Sequence, residues 1–117
     1  MQIAVAGAST CGVRVARLAE AVGRALAAGN RHLTVTLPTG LGWARNVLVA
    51  GGGDALIALP GRDGTRSEIA LARVLGRPVI TLGRRDARMP GVQKAATAEE
   101  AVRRALAAVR RRLQSAR

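Results

Sequence analysis

Asp54–Ile69, DALIALPGRDGTRSEI, is the stretch whose reading decides the fold. Ala55–Leu59 is an apolar run too short for a helix and suited to a strand buried on both faces. Pro60 and Gly61 stop the run. Asp63, Gly64 and Thr65 supply turn and capping chemistry, and Glu68 to Leu75 resumes at helical spacing. A buried strand, a tight glycine turn and a helix in this order make the junction of a parallel α/β sheet at which backbone N–H groups and a helix N-terminus face a ligand.

Working outward, residues 2–6 (QIAVA) read as a first strand, and Gly7-Ala8-Ser9-Thr10 as a small-residue loop. Over 12–28, Val15, Leu18, Ala19, Val22 and Leu26 form one stripe of an amphipathic helix that Gly29-Asn30 ends. Leu33, Val35 and Leu37 alternate with Thr34 and Thr36, a half-buried strand closed by Pro38. Residues 41–50 read as a short helix with Trp43, Val47 and Ala50 on one side, broken by Gly51-Gly52-Gly53. The helix over 64–75 is expected to be capped by Gly76, followed by a β-branched strand, PVITL (78–82). Residues 83–91 read as a loop and 92–95 as a short last strand. Thr97 and Glu100 form an S/T-x-x-E capping box opening a helix that turns Val102, Leu106, Val109 and Leu113 inward.

Strands alternating with helices imply an α/β fold. The expectation is a three-layer Rossmann-like sandwich, a parallel sheet of 4–5 strands in the order 2-1-3-4-5, with helices on both faces and the first strand central. The 117 residues suffice for one domain, spanning 1–117, with one core. Hydrophobic residues make up 49%, yet Trp43 is the one aromatic, so Ala, Val, Leu and Ile must build the core. Small residues bury modest area, which favours a homodimer interface as an added source of stability.

Net charge is +12, and of the 19 basic residues only Lys94 is a lysine. Such a balance attracts nucleic acid, anionic ligands or membrane surface. Nucleic acid is the less favoured reading. The arginines are spread along the sequence, no aromatic platform accompanies them, and Arg103, Arg104, Arg110, Arg111 and Arg112 can all form the solvated side of one helix. A single cysteine, Cys11, rules out an internal disulfide framework and fits a reducing, cytoplasmic setting. No apolar stretch reaches the roughly 18 residues of a membrane span, and MQIAVAG lacks the basic start of a signal peptide. Cys/His spacing gives no metal site. Cys11 reads as a buried small residue, His32 has no visible metal or triad partner, and Trp43 reads as core or interface.

In this topology the crevice at the carboxyl ends of the first and third strands is the expected ligand site. Gly7–Gly12 and Pro60–Thr65 open there, each combining glycine with hydroxyl residues and each running into a helix. Unpaired N–H donors and the positive helix pole suit phosphate. Gly7, Ser9, Thr10, Gly61, Gly64 and Thr65 are the candidates for backbone or hydroxyl contacts, and Arg45 and Arg62 for charge. Ser9, Thr10, Asp63 and Thr65 serve equally as turn and cap residues.

PTGLGWARN (38–46), DALIALPGRDGTRSEIALA (54–72) and GRPVITLG (76–83), with MQIAVAGAST at the start, resemble a Rossmann-like nucleotide-binding family often mislabelled as lysine decarboxylases. That family holds the "lonely guy" phosphoribohydrolases and the molybdenum-cofactor carrier proteins, and PTGLGxARN resembles the carrier branch more closely. The resemblance implies a homodimer and a phosphorylated ligand, a nucleotide or a molybdenum-cofactor-like molecule. In the hydrolase branch an Arg and the Glu of PGGxGTxxE serve cleavage of a base–ribose bond, and they match Arg45 and Glu68. Such a glutamate stabilises an oxocarbenium-like centre or positions water while the arginine holds phosphate. Without that role, Glu68 reads as a helix acid favoured by the macrodipole and Arg45 as a surface charge. The chain departs from the family twice: Arg62 stands where the loop has its second glycine, and a glycine-rich strand–helix–strand unit is missing between the first helix and PTGLG. The reading from sequence is thus a small phosphoryl-ligand binding protein, with a nucleoside-monophosphate phosphoribohydrolase and a nucleic-acid-associated basic protein as the alternatives.

Overall fold

The computed structural model describes residues 1–7, 12–28, 45–83 and 89–117. Within them the chain runs β1 (Ile3–Ala6), α1 (Val13–Ala28), α2 (Arg45–Gly52), β2 (Ala55–Ala58), α3 (Asp63–Val74), β3 (Val79–Leu82), β4 (Val92–Ala95) and α4 (Ala98–Ser115). The strands form a four-stranded, all-parallel sheet in the order β1-β2-β3-β4. This is an α/β sandwich of the Rossmann-like kind. The neighbours expected for the first, third, fourth and fifth strands are the ones observed. The strand expected over Leu33–Leu37, whose place beside β1 would make β1 central, lies outside the described residues.

Period-two alternation along the buried strands sorts side chains onto two faces. Ala55, Ile57, Leu59, Ile80 and Leu82 pack with α1 and with Ala101, Ala105 and Val109 of α4. Leu56, Ala58 and Val79 pack with Ala50 of α2 and with Ile69 and Ala72 of α3. The small residues expected to build the core do so, letting α3 and α4 lie close on the sheet.

Several boundaries differ from the sequence reading. Helix α2 continues through Gly51, ends at Gly52 and leaves Gly53 as the first residue beyond it. A Cβ on Gly51 would meet Leu75 at an ordinary 3.6 Å, but one on Gly53 would come 2.7 Å from the Ala4 nitrogen. The helix therefore stops where β1 leaves no room. Asn46, not Val47, is the buried partner of Ala50 on α2, with Val47 exposed. On α1 the packed stripe is Val15, Leu18, Ala21, Val22, Ala25 and Leu26, and Ala19 faces out. Leu113 is also exposed rather than inward, because α4 outlasts its support. Eighteen residues of helix cover about 27 Å, a four-residue strand about 13 Å. Val109 is the last buried residue of α4.

The expected stop at Gly76 holds, with φ +66°. Gly76 N–H donates to Arg73 O and Arg77 N–H to Ala72 O, the two bonds of a Schellman close. The capping pair expected at α4 forms with its return bond shifted to the residue before the N-cap. Thr97 Oγ1 accepts from Glu100 N–H at 3.1 Å, while Glu100 Oε2 accepts from Ala96 N–H at 2.8 Å.

Candidate functional site

Leu59 N–H donates to Ala6 O at 2.8 Å, so β1 and β2 end level with each other. Gly7 and Pro60 therefore leave the sheet side by side. The chain after β1 continues into α1, on the α4 side of the sheet, whereas the chain after β2 continues into α3 on the opposite side. Adjacent parallel strands whose following helices part to opposite faces open a crevice at their carboxyl ends, the usual ligand position in such sheets. This is the divergence expected between the first and third strands of the sequence. Of the two elbows that flank it, Ser9 and Thr10 lie outside the described residues, and Gly7 is exposed at the end of β1.

The second elbow is described throughout. Gly61 and Gly64 are half-buried and Arg62 is exposed. The cap position of α3 falls on Arg62 rather than within Asp63–Thr65, and no side chain caps the helix. Asp63 is the first helical residue, where the positive pole favours its charge. It pairs loosely with Arg66 at 3.9 Å, both side chains well exposed. An uncapped start leaves first-turn N–H donors with the capacity that an anion fills. Arg62 has φ −99°, open to any residue, so a side chain in place of the family's second glycine is accommodated by the backbone.

Thr65 is neither an exposed cap nor a turn residue. It is 2% exposed, and its Oγ1 is buried with no hydrogen-bond partner among the described residues. A hydroxyl in that state costs about 1–3 kcal/mol relative to a satisfied one. Three residues on, Glu68 is 7% exposed, in the inner stripe with Thr65, Ile69 and Ala72. Glu68 is thus buried in the second turn rather than being a surface acid of the first. Helix α2 begins at Arg45 and packs along α3. Asn46, 4% exposed, reaches Gly64 O through Nδ2 in a long bond of 3.5 Å. The starts of α2 and α3 are thereby tied together at one edge of the sheet.

Two residues here were missed from sequence. Asn46 closes the PTGLGWARN motif, and a buried amide in a helix's first turn is the signal that its place in that motif could have given. Arg14 gave no signal, because helical periodicity puts it on the polar side of α1. At Gly83, the end of β3, an added Cβ would lie 2.7 Å from Leu18 Cδ1 and 3.6 Å from Arg14 Nη2. With φ +72°, only glycine suits that bend, and the Arg14 guanidinium lies across it. Cys11, His32 and Trp43 lie outside the described residues. Among the described residues no cluster of three His, Cys, Asp or Glu could hold a metal, and no helix is long and apolar enough to cross a membrane.

Neither a curated protein nor a solved structure matches the chain significantly. The family model of the SLOG cluster4 family matches residues 28–111, well over half of the 117. The SLOG superfamily includes Rossmann-like LOG proteins, in keeping with the resemblance carried by the motif order, and membership points to nucleotide-related binding or processing. With its parallel sheet and divergent elbows, the chain belongs to the SLOG cluster4 family.

Proposed function

We propose that this protein binds a nucleotide or another phosphorylated small molecule, a molybdenum-cofactor-like one among them, in the crevice between β1 and β2. The single observation that carries the reading is Thr65: a buried hydroxyl without a partner among the described residues, in the first turn of an uncapped helix, at the point where the chain parts to opposite faces. A phosphate oxygen there satisfies the hydroxyl and the first-turn N–H groups together. Gly61 and Gly64 keep the backbone accessible, Gly7, Ser9 and Thr10 are the further contacts of this reading, and Arg45 and Arg62 supply charge.

A thermal-shift titration with AMP, ADP and inorganic phosphate tests this, since a ligand that binds the folded chain raises its melting temperature in proportion to ln(1 + [L]/Kd). A saturable rise with a nucleotide, abolished in Thr65→Val, is the expected result. No rise with any of the three, or an undiminished rise in the variant, overturns the proposal.

One observation favours a second reading, cleavage of a nucleoside monophosphate at its base–ribose bond. Glu68 is buried beside the elbow, and a carboxylate ionised in such a low-dielectric setting stabilises developing positive charge better than a solvated acid would. Arg45, at the start of α2, is its phosphate-holding partner in this reading. Release of free base by the wild type, lost in Glu68→Ala, is the expected outcome; no release from any nucleoside monophosphate removes the reading.

The same protein is proposed to work as a homodimer in the cytoplasm. Supporting self-association, Val47, Leu48, Val74 and Leu75 of the α2/α3 side are each at least 44% exposed. Leu75 lies against Gly51, so these apolar groups adjoin across the two helices. Sedimentation equilibrium at micromolar concentration is expected to give twice the chain mass, and a monomer mass rejects the homodimer.

A further inference from the structure

The arginines that look scattered in sequence are sorted by the fold. Helices α1 and α4, which share one face of the sheet, carry eight arginines against three glutamates. Helices α2 and α3, on the other face, carry three arginines against two acids. All eight arginines of the first layer except Arg104 are exposed. Two of the three glutamates are already engaged, Glu20 with Arg24 and Glu100 with Arg104.

The charge is further ordered along α4. Arg103 and Arg110 stand seven residues apart on α4, which is two helical turns less about 20°, so they share one stripe. Among the described residues neither of the two has an ion-pair partner. No acidic residue follows Glu100 in the chain. After Val109 every residue of α4 is exposed, so its last turns run past the sheet with nothing described packed on them. Cations in a last turn do stabilise a helix end, but that accounts for Arg112 and leaves Arg103, at the sixth position of α4, unexplained.

We propose that the outer side of α4 docks on the phosphate backbone of a nucleic-acid duplex, with Arg103, Arg110 and the overhanging end of the helix as the contact. Arg103 and Arg110 stand about 10.5 Å apart along the helix, close to the roughly 12 Å width of a B-form major groove, so the two reach phosphates on both facing strands. The chemistry is backbone neutralisation without sequence readout, since the one aromatic in the chain, Trp43, is not on these helices and no stacking platform exists on them. A lipid surface fits less well. Leu113 is the one large apolar side chain exposed on the overhang, too little to bury in an acyl boundary. The overhang lies apart from the elbow, because α4 starts at the carboxyl edge of the sheet after β4 and its last turns leave from the amino edge. Docking and ligand binding are therefore independent, and failure of either proposal leaves the other standing.

Anisotropy titrations of the full chain with labelled 20-base-pair DNA and RNA duplexes of arbitrary sequence, from about 50 to 200 mM salt, provide the test. Saturable binding to either duplex is expected, with log affinity falling linearly in log salt at roughly 0.9 per phosphate neutralised. Arg103→Gln/Arg110→Gln is expected to weaken binding about tenfold or more and to reduce the salt slope by about two. Arg66→Gln/Arg73→Gln, which removes the same charge from the opposite layer, is expected to stay within about twofold of wild type. Glutamine is a good helix former, so each variant can be matched to wild type by circular dichroism before titration. Equal losses in the two variants would make net charge, not this face, responsible and would overturn the proposal. So would the lack of saturable duplex binding, or binding to phosphatidylserine vesicles in preference to both duplexes.

Discussion

The two helical layers on either side of the sheet are built to different rules. In the α1/α4 layer no polar residue of a helix is buried among the described residues, the N-terminus of α4 is capped, and charge covers the outside. The α2/α3 layer buries Asn46, Thr65 and Glu68, leaves the start of α3 without a side-chain cap, and exposes apolar groups. Burying polar groups and leaving a helix start open both cost stability. Such costs concentrated on one side of one sheet, around one elbow, are what a binding site requires and a purely structural layer would avoid. The difference teaches that one layer is packed without buried polar helix residues and the other carries the buried polar groups on which the proposed site rests.

Adjacent residues on β2 offer the sharpest break point. Leu56 and Ile57 are both fully buried, yet Leu56 faces α2/α3 and Ile57 faces α1/α4. Truncating either to alanine falls in the range of about 2–5 kcal/mol for large-to-small core changes, with the cost set by how far the surroundings relax into the void. Helices α1 and α4, of 16 and 18 residues, are anchored over long stretches, while α2 and α3 have 8 and 12 and can shift. Ile57→Ala is therefore expected near the top of the range and Leu56→Ala near the bottom, read by urea unfolding. Equal costs, or the reverse order, would mean that the layers do not differ in rigidity.

That contrast also explains what the sequence made legible. Ala55–Leu59, PVITL and Thr97–Glu100 were readable because local chemistry and tertiary structure agree there: apolar runs buried on both faces, and a cap whose bonds lie within a few residues. Gly51 and Gly52 misled because helix propensity was overridden by packing against Leu75, and the stop moved to Gly53, where only the approach of β1, some fifty residues away in sequence, forbids a side chain. Leu113 misled because periodicity says which side of a helix is apolar but not where the sheet beneath it ends. At the candidate site the glycines of the elbow and the Glu68 position were visible. The burial of Thr65 and Asn46 was not, since both depend on how two helices meet. The arginines on the solvated side of the last helix were legible too, but the larger excess in one layer was not, because it follows from α1 and α4 taking the same face.

A smaller effect isolates the elbow. Two threonines are equally buried, each 2% exposed: Thr65 in α3 and Thr81 in β3. Thr81 Oγ1 donates to Gln93 O at 3.4 Å, whereas Thr65 Oγ1 has no partner among the described residues. Valine has the same shape without the hydroxyl. Without ligand, Thr65→Val is expected to stabilise the chain by about 1 kcal/mol, because an unsatisfied polar atom is removed, and Thr81→Val to destabilise it by a comparable or smaller amount. Chemical denaturation of both variants checks the opposite signs. Destabilisation by Thr65→Val would show that its hydroxyl is satisfied in solution, and would remove the argument that the elbow waits for an anion.

The least effect expected concerns the capped layer and its dependence on pH. Glu100 accepts a hydrogen bond from Ala96 N–H, and its other oxygen takes one from Arg104 Nε at 2.8 Å. The backbone bond first, and the Arg104 bond second, hold its carboxyl below the ordinary glutamate value. A carboxyl with a lower pKa in the folded chain than in the unfolded one adds stability that is complete above the unfolded value and vanishes as pH falls through the folded one. The melting-temperature difference between wild type and Glu100→Gln is therefore expected to be constant from neutral pH down to the ordinary glutamate range, then to shrink and close in stronger acid. Glutamine still accepts the Ala96 bond, so the comparison isolates the contribution of the charge. A difference unchanged through that acid window would mean that this charge does not secure α4, and the capped layer would then owe its rigidity to packing alone.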